Sequence, residues 1–136
     1  LRTGEAIRQQ HGATEGMIGG GDPDAVLFAT STEDVAAAVA ICAAHRLPVI
    51  AHGAGSSLEG QLAAPEGGLS IDLTGMNRVI AVNAGDLDVR VEAGVTREAL
   101  NAELTSHGLF FPLDPGANAT IGGMAATRAS GTNAVR

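Results

Sequence analysis

One stretch constrains this chain more than any other: Pro48 to Gly60, reading P-V-I-A-H-G-A-G-S-S-L-E-G. A short apolar strand, Val49-Ile50-Ala51, runs straight into a loop built from Gly53, Gly55, Ser56, Ser57 and Gly60. Glycine lets the backbone reach positive φ and come close to a ligand, and the small hydroxyls add donors without bulk. Successive exposed backbone N–H groups in such a turn form a concavity suited to an anion, typically phosphate. A phosphate-bearing cofactor is therefore the first expectation.

The residues ahead of that loop predict a β-α-β unit. After a short helix over Glu5–His11 and a turn at Asp22-Pro23-Asp24, the run Ala25–Ala29 has strand length. Thr30-Ser31-Thr32-Glu33-Asp34 offers capping hydroxyls and first-turn acids, which suit a helix N-terminus. The helix Glu33–His45 places Val35, Val39 and Cys42 on one face, with Ala36, Ala40 and Ala43 beside them. Leu47-Pro48 ends it, and the glycine loop follows the second strand.

Beyond the loop the pattern changes. Leu69–Leu73 alternates with period two, and Arg78–Val82 and Asp88–Glu92 read as strands joined by a turn over Asn83–Asp86. Thr96 caps a helix over Arg97–His107 with Leu100 and Leu104 one turn apart, and Gly108 closes it. Leu109-Phe110-Phe111 reads as one more short strand. The fold class is α+β, with small mixed sheets and packed helices. Residues 1–22 form a lead-in segment and 23–136 a domain. Opening on Leu1 and ending just after a small-residue stretch, the chain reads as the N-terminal part of something longer.

Composition removes several functions. The net charge is −7, and all eight basic residues are Arg scattered along the chain. Aromatics make up 2%. Nucleic-acid binding, which needs a basic face and stacking platforms, is not expected. The single cysteine, Cys42, excludes an internal disulfide and reads as a buried, inert thiol. No apolar run reaches the ~18–20 residues of a membrane helix.

Two familiar phosphate loops fail on the residue that carries the chemistry. In the dinucleotide fingerprint G-x-G-x-x-G, Leu58 stands where the third glycine belongs. In G-x-x-x-x-G-K-[ST], Gly55 and Gly60 have the spacing, but Gln61 and Leu62 replace the lysine and the hydroxyl residue.

A second small-residue segment follows about fifty residues after the first: D-P-G-A-N-A-T-I-G-G-M-A-A-T-R-A-S-G-T-N-A-V-R, from Asp114. Its Thr120–Ala126 portion is expected to open a short helix whose N-terminus faces an anion. The two motifs in this order, with S-T-E-D-V ahead, resemble the FAD-binding domain of the vanillyl-alcohol-oxidase type. The wording is most similar to the cytochrome- or quinone-linked D-lactate dehydrogenases and glycolate oxidase FAD subunits.

That resemblance, running from about Pro23 to Arg136, implies a pyrophosphate cradle at Gly53, Ala54, Gly55, Ser56, Ser57 and Gly60. It implies further flavin contacts at Pro115, Gly116, Thr120, Ile121, Gly122, Gly123, Ala126, Ser130 and Gly131. Family members that attach flavin covalently through this loop carry His at the position of Ser56, so a non-covalent cofactor is implied. Many members have Arg where this chain has His52. The implied activity is oxidation of a small 2-hydroxy acid to a 2-oxo acid, with electrons passed to a cytochrome or quinone. The alternatives are another oxidoreductase of the superfamily, such as a sugar-lactone oxidase, or a non-catalytic nucleotide-binding module. The family's catalytic and metal-binding residues belong to a later domain, so neither is expected here and this stretch alone is expected to be inactive. The implied compartment is cytoplasmic, including a peripheral position at the inner membrane.

The remaining polar residues have plain readings. His11, His45 and His107 are spaced too irregularly for a metal site and are expected at the surface. Asp72, Asp86, Asp88 and Glu92 are expected to face solvent, and Glu59 to hold its loop by accepting backbone N–H groups.

Overall fold

The computed structural model describes residues 1–13, 20–131 and 133. Gly19 and the last residues of the second small-residue motif, 132 and 134–136, lie outside them. The elements are α1 (Glu5–Gly12), β1 (Ala25–Phe28), α2 (Thr32–His45), β2 (Val49–His52), β3 (Leu69–Asp72), β4 (Val79–Asn83), β5 (Asp88–Val91), α3 (Arg97–Thr105) and α4 (Ile121–Ala126).

The expected β-α-β unit is present, but its two strands are not neighbours. β3 inserts between them, giving a three-stranded parallel sheet in the order β1-β3-β2. Phe28, Asp72 and His52 stand level at its carboxyl end. In an open parallel sheet this rim is where ligands bind. Being central also explains why β3 departs from its predicted alternation. Ser70, Ile71 and Asp72 are all buried, as expected when both faces of a parallel strand are covered.

α2 starts on a reciprocal cap. The Ser31 hydroxyl accepts the Asp34 N–H at 3.1 Å, and the Asp34 carboxylate accepts the Thr30 N–H and hydroxyl at 3.0 and 2.9 Å. Its inward face is Val35, Ala38 and Cys42 rather than the predicted Val35, Val39 and Cys42. Val39 is 43% exposed. The helix ends at Arg46, in the left-handed region with φ 54°.

A second unit packs around its own core. β4 and β5 form an antiparallel hairpin, and α3 buries Leu100 and Leu104 against Val95, with Val79, Val82, Val89 and Val91 closing over them. The predicted strand at Leu109–Phe111 does not form. Instead the Asn101 amide oxygen accepts the Phe111 N–H at 2.7 Å, and Leu109 and Phe111 fill the α3 core while Phe110 points out. The segment's in–out alternation was real, but no strand pairs with it among the described residues.

Two predicted surface acids are interior. Glu92 is 9% exposed and accepts the Arg78 backbone N–H at 2.8 Å and its guanidinium at 2.6 and 3.0 Å. The Arg78 hydrogen bonds hold the Glu92 carboxyl below its ordinary value. Asp86 and Asp88 face solvent as expected. No helix among the described residues is long and apolar enough to cross a membrane.

Candidate functional site

The first glycine loop leaves β2 at the sheet rim, and the second small-residue segment lies opposite it. Between them is a cleft of about 690 Å³, within the usual range for a bound cofactor. Ten of the fifteen predicted site residues line it: Gly53, Ala54, Gly55, Ser56, Ser57, Pro115, Thr120, Gly122, Gly123 and Ala126. The other five do not line it. Gly60 takes φ 77° and its carbonyl accepts the Ala63 N–H at 3.0 Å. Gly116 closes a turn on the Asp114 carboxylate at 3.0 Å. Ile121 packs into the α3 core, Ser130 is exposed, and Gly131 lies against the Asp114 backbone, where a side chain has no room.

The loop is open for hydrogen bonding. No acceptor among the described residues takes the backbone N–H of Gly53, Ala54, Gly55, Ser56 or Ser57. Gly55 sits at φ 72°, which turns the chain and which an L side chain resists. A Cβ at Gly53 would strike the Thr120 hydroxyl, so glycine is what lets the two segments meet. Glu59 does not brace the loop through backbone N–H groups as expected. Its carboxylate accepts the Gln61 side-chain amide at 3.1 Å, while its own N–H donates to that side chain at 3.0 Å.

The start of α4 is different. The helix forms as predicted, capped by Thr120, but its N–H groups are already used. Ile121 donates to the Val95 carbonyl at 2.8 Å and Gly122 to the Ala93 carbonyl at 2.9 Å. Gly123 donates to the Thr120 hydroxyl at 3.3 Å. The expectation that this terminus presents its N–H groups to an anion is therefore corrected, because the strap Ala93–Val95 occupies them.

Beside the cleft, reaching it through His52 alone, lies a cluster that spacing did not reveal. His11, predicted at the surface, is 3% exposed, and Asp72, predicted to face solvent, is 5% exposed. His11 Nε2 is 2.9 Å from Asp72 Oδ2, and His11 Nδ1 is 2.9 Å from the Ile7 carbonyl. Both ring nitrogens thus face oxygen atoms. Phe28 meets the His11 ring edge-on, and the His52 ring lies 4.3 Å from it between centroids.

Burial, and then the neighbouring His11 ring, lower the His52 pKa against the opposing pull of Asp72. Burial opposes ionisation of Asp72, yet the Thr74 hydroxyl, His11 and the Thr74 N–H together leave its pKa below the ordinary value. His52 is the one ionisable side chain lining the cleft among the described residues. An anion held here would therefore rely on backbone dipoles rather than on a cationic side chain. His45 and His107 are exposed and Cys42 is buried, as expected. Sequence reading also passed over Ala93, whose small side chain walls the cleft behind Gly122.

Residues 23–136 match the family described as FAD binding domain. The chain is 50% identical over 136 residues to a probable mitochondrial D-lactate dehydrogenase of Danio rerio, covering all of this chain and 27% of that protein. It is 47% identical over 114 residues to a mitochondrial cytochrome-type D-lactate dehydrogenase of Arabidopsis thaliana, covering 84% of this chain and 20% of that one. A solved alkyldihydroxyacetonephosphate synthase superposes with a TM-score of 0.86 at 22% identity, covering 98% of this chain and 28% of that one, a likeness of fold. The chain thus spans about a quarter or less of the curated relatives described.

Proposed function

The chain belongs to the FAD-binding-domain family, and from that premise we propose that it forms the pyrophosphate-binding part of a flavin-dependent D-2-hydroxy-acid dehydrogenase. The observation that carries this reading is the run of five backbone N–H groups, Gly53–Ser57, that no acceptor among the described residues engages, at the carboxyl rim of the parallel sheet. Such a run suits a diphosphate, and the net charge of −7 leaves the cradle to backbone dipoles. FAD bound there supplies a two-electron acceptor, and the redox chemistry belongs to that cofactor.

This chain's own residues bind and orient. Gly53–Ser57 hold the diphosphate, Gly60 shapes the loop, and Pro115, Thr120, Gly122, Gly123 and Ala126 form the facing wall. Gly116, Ile121, Ser130 and Gly131 support that wall. The cofactor is non-covalent, because Ser56 stands where covalent members carry the attaching His. The substrate is a small 2-hydroxy acid of the D-lactate or glycolate kind, which becomes the 2-oxo acid. A cytochrome or quinone takes the electrons. Residues 23–136 act as the domain and 1–22 as its lead-in, with no catalytic residue in this stretch. We place the protein in the cytoplasm, with peripheral membrane contact through its acceptor, although the relatives described are named as mitochondrial.

The test is purification of the intact protein followed by spectroscopy and assay. The expected result is flavin absorption near roughly 370 and 450 nm, bleached anaerobically by D-lactate or glycolate but not by the L-enantiomer of lactate. Acid precipitation should release the colour into solution. A colourless folded protein that takes up no added FAD would sink the reading, and colour retained in the pellet would overturn the non-covalent attachment.

A further inference from the structure

We propose that His11, His52 and Asp72 form a binding site for one divalent transition cation of the zinc type. One ligand atom from each of the three lies within 4.8 Å of the others. The separations from Asp72 Oδ2 are 2.9 Å to His11 Nε2 and 3.9 Å to His52 Nδ1. These bracket the spacing of about 3.3 Å between donors that sit about 2.05 Å from a tetrahedral zinc. Two imidazoles and one carboxylate are a donor set suited to such an ion.

Three further contacts orient the donors. Ligating histidines usually donate their other ring N–H to a carbonyl or carboxylate. His11 does so through Nδ1 to the Ile7 carbonyl, which leaves Nε2 as the donor. Asp72 Oδ1 accepts the Thr74 N–H at 2.8 Å and its hydroxyl at 2.6 Å, which leaves Oδ2 aimed at the histidines. His52 Nδ1 is buried and takes no partner among the described residues. A buried polar atom of that kind calls for an ion or water.

The His11–Asp72 hydrogen bond accounts for two of the three residues, not for the third. A cation takes the place of the hydrogen between His11 Nε2 and Asp72 Oδ2 and gives the His52 Nδ1 lone pair its partner. The ion would tie α1 to the ends of β2 and β3, where the glycine loop begins. This inference is independent of the FAD reading.

The experiment uses intact, tag-free protein stripped with EDTA and titrated with Zn²⁺ alone. Expected are one more equivalent of zinc per chain in the wild type than in His52→Ala by mass spectrometry, and a zinc absorption edge showing nitrogen and oxygen neighbours only. His52→Ala should weaken zinc binding at least about tenfold while keeping the wild-type circular dichroism, and His107→Ala, at an exposed histidine, should leave it unchanged. His52→Gln, which keeps the bulk and removes the imidazole, gives the same comparison should His52→Ala fail to fold. Zinc that fails to bind in stoichiometric amount would assign the orphaned nitrogen to water. An equal zinc stoichiometry in the wild type and His52→Ala, or a sulfur neighbour pointing to Cys42, would equally overturn the site.

Discussion

The Gly53–Ser57 loop and the Thr120–Gly123 start of α4 face one another across the same cleft, and both are made of glycine and small hydroxyl residues. Their glycines serve opposite ends. In the loop, Gly55 allows a positive φ and no acceptor among the described residues engages the backbone N–H groups. At α4, Gly122 lets the helix approach Ala93 so closely that its N–H groups are consumed by the carbonyls of Ala93 and Val95. Similar composition thus builds a docking surface on one side and a tightly packed wall on the other.

The largest way to sharpen this comparison is Gly122→Val. A Cβ there would sit 2.7 Å from the Ala93 Cβ and 2.9 Å from its carbonyl oxygen. Denaturant unfolding should show a loss of about 3 kcal/mol, as overpacking against backbone demands; a loss below about 0.5 kcal/mol would mean the wall is loose.

Ala54→Asp probes the other side. Ala54 is exposed on the loop, so stability should move by less than about 0.5 kcal/mol. The new carboxylate should repel the diphosphate and weaken FAD binding about tenfold, or about 1.4 kcal/mol. Unchanged affinity in a flavin titration would break the assignment of this loop as the cradle.

Thr120→Ala removes the α4 cap and should cost about 1 kcal/mol of stability, with a smaller effect on FAD affinity than Ala54→Asp. The reverse ranking would mean the α4 terminus, not the loop, holds the anion.

The smallest effect is a control away from both segments. The Thr30 N–H first, and then its hydroxyl, hold the Asp34 carboxyl below its ordinary value of 3.8. Its contribution is complete above that value and is lost as pH falls through the lower folded value. Asp34→Asn should flatten the acid limb of the stability–pH curve and leave FAD affinity untouched. An unchanged acid limb would show that the cap carries no charge-linked stability.

What the sequence by itself determined is local. The β1-α2 start, the Ser31 and Thr96 caps, the Leu100–Leu104 pair and the strand-into-glycine loop rest on periodicity and capping chemistry within a few residues. The pairing of two small-residue motifs was also legible, and ten of fifteen named residues do meet at one cleft.

Tertiary structure decided the rest. β3 inserted between β1 and β2, which buried Asp72 although its strand read as half-exposed. That insertion brought Asp72 to His11, 61 residues away, a contact no spacing rule could supply. Leu109–Phe111 kept its alternation but found a helix core instead of a strand partner. The N–H groups of α4 were lost to carbonyls from another segment. Local chemistry fixes which groups are available, and only long-range packing decides which of them are left for a ligand.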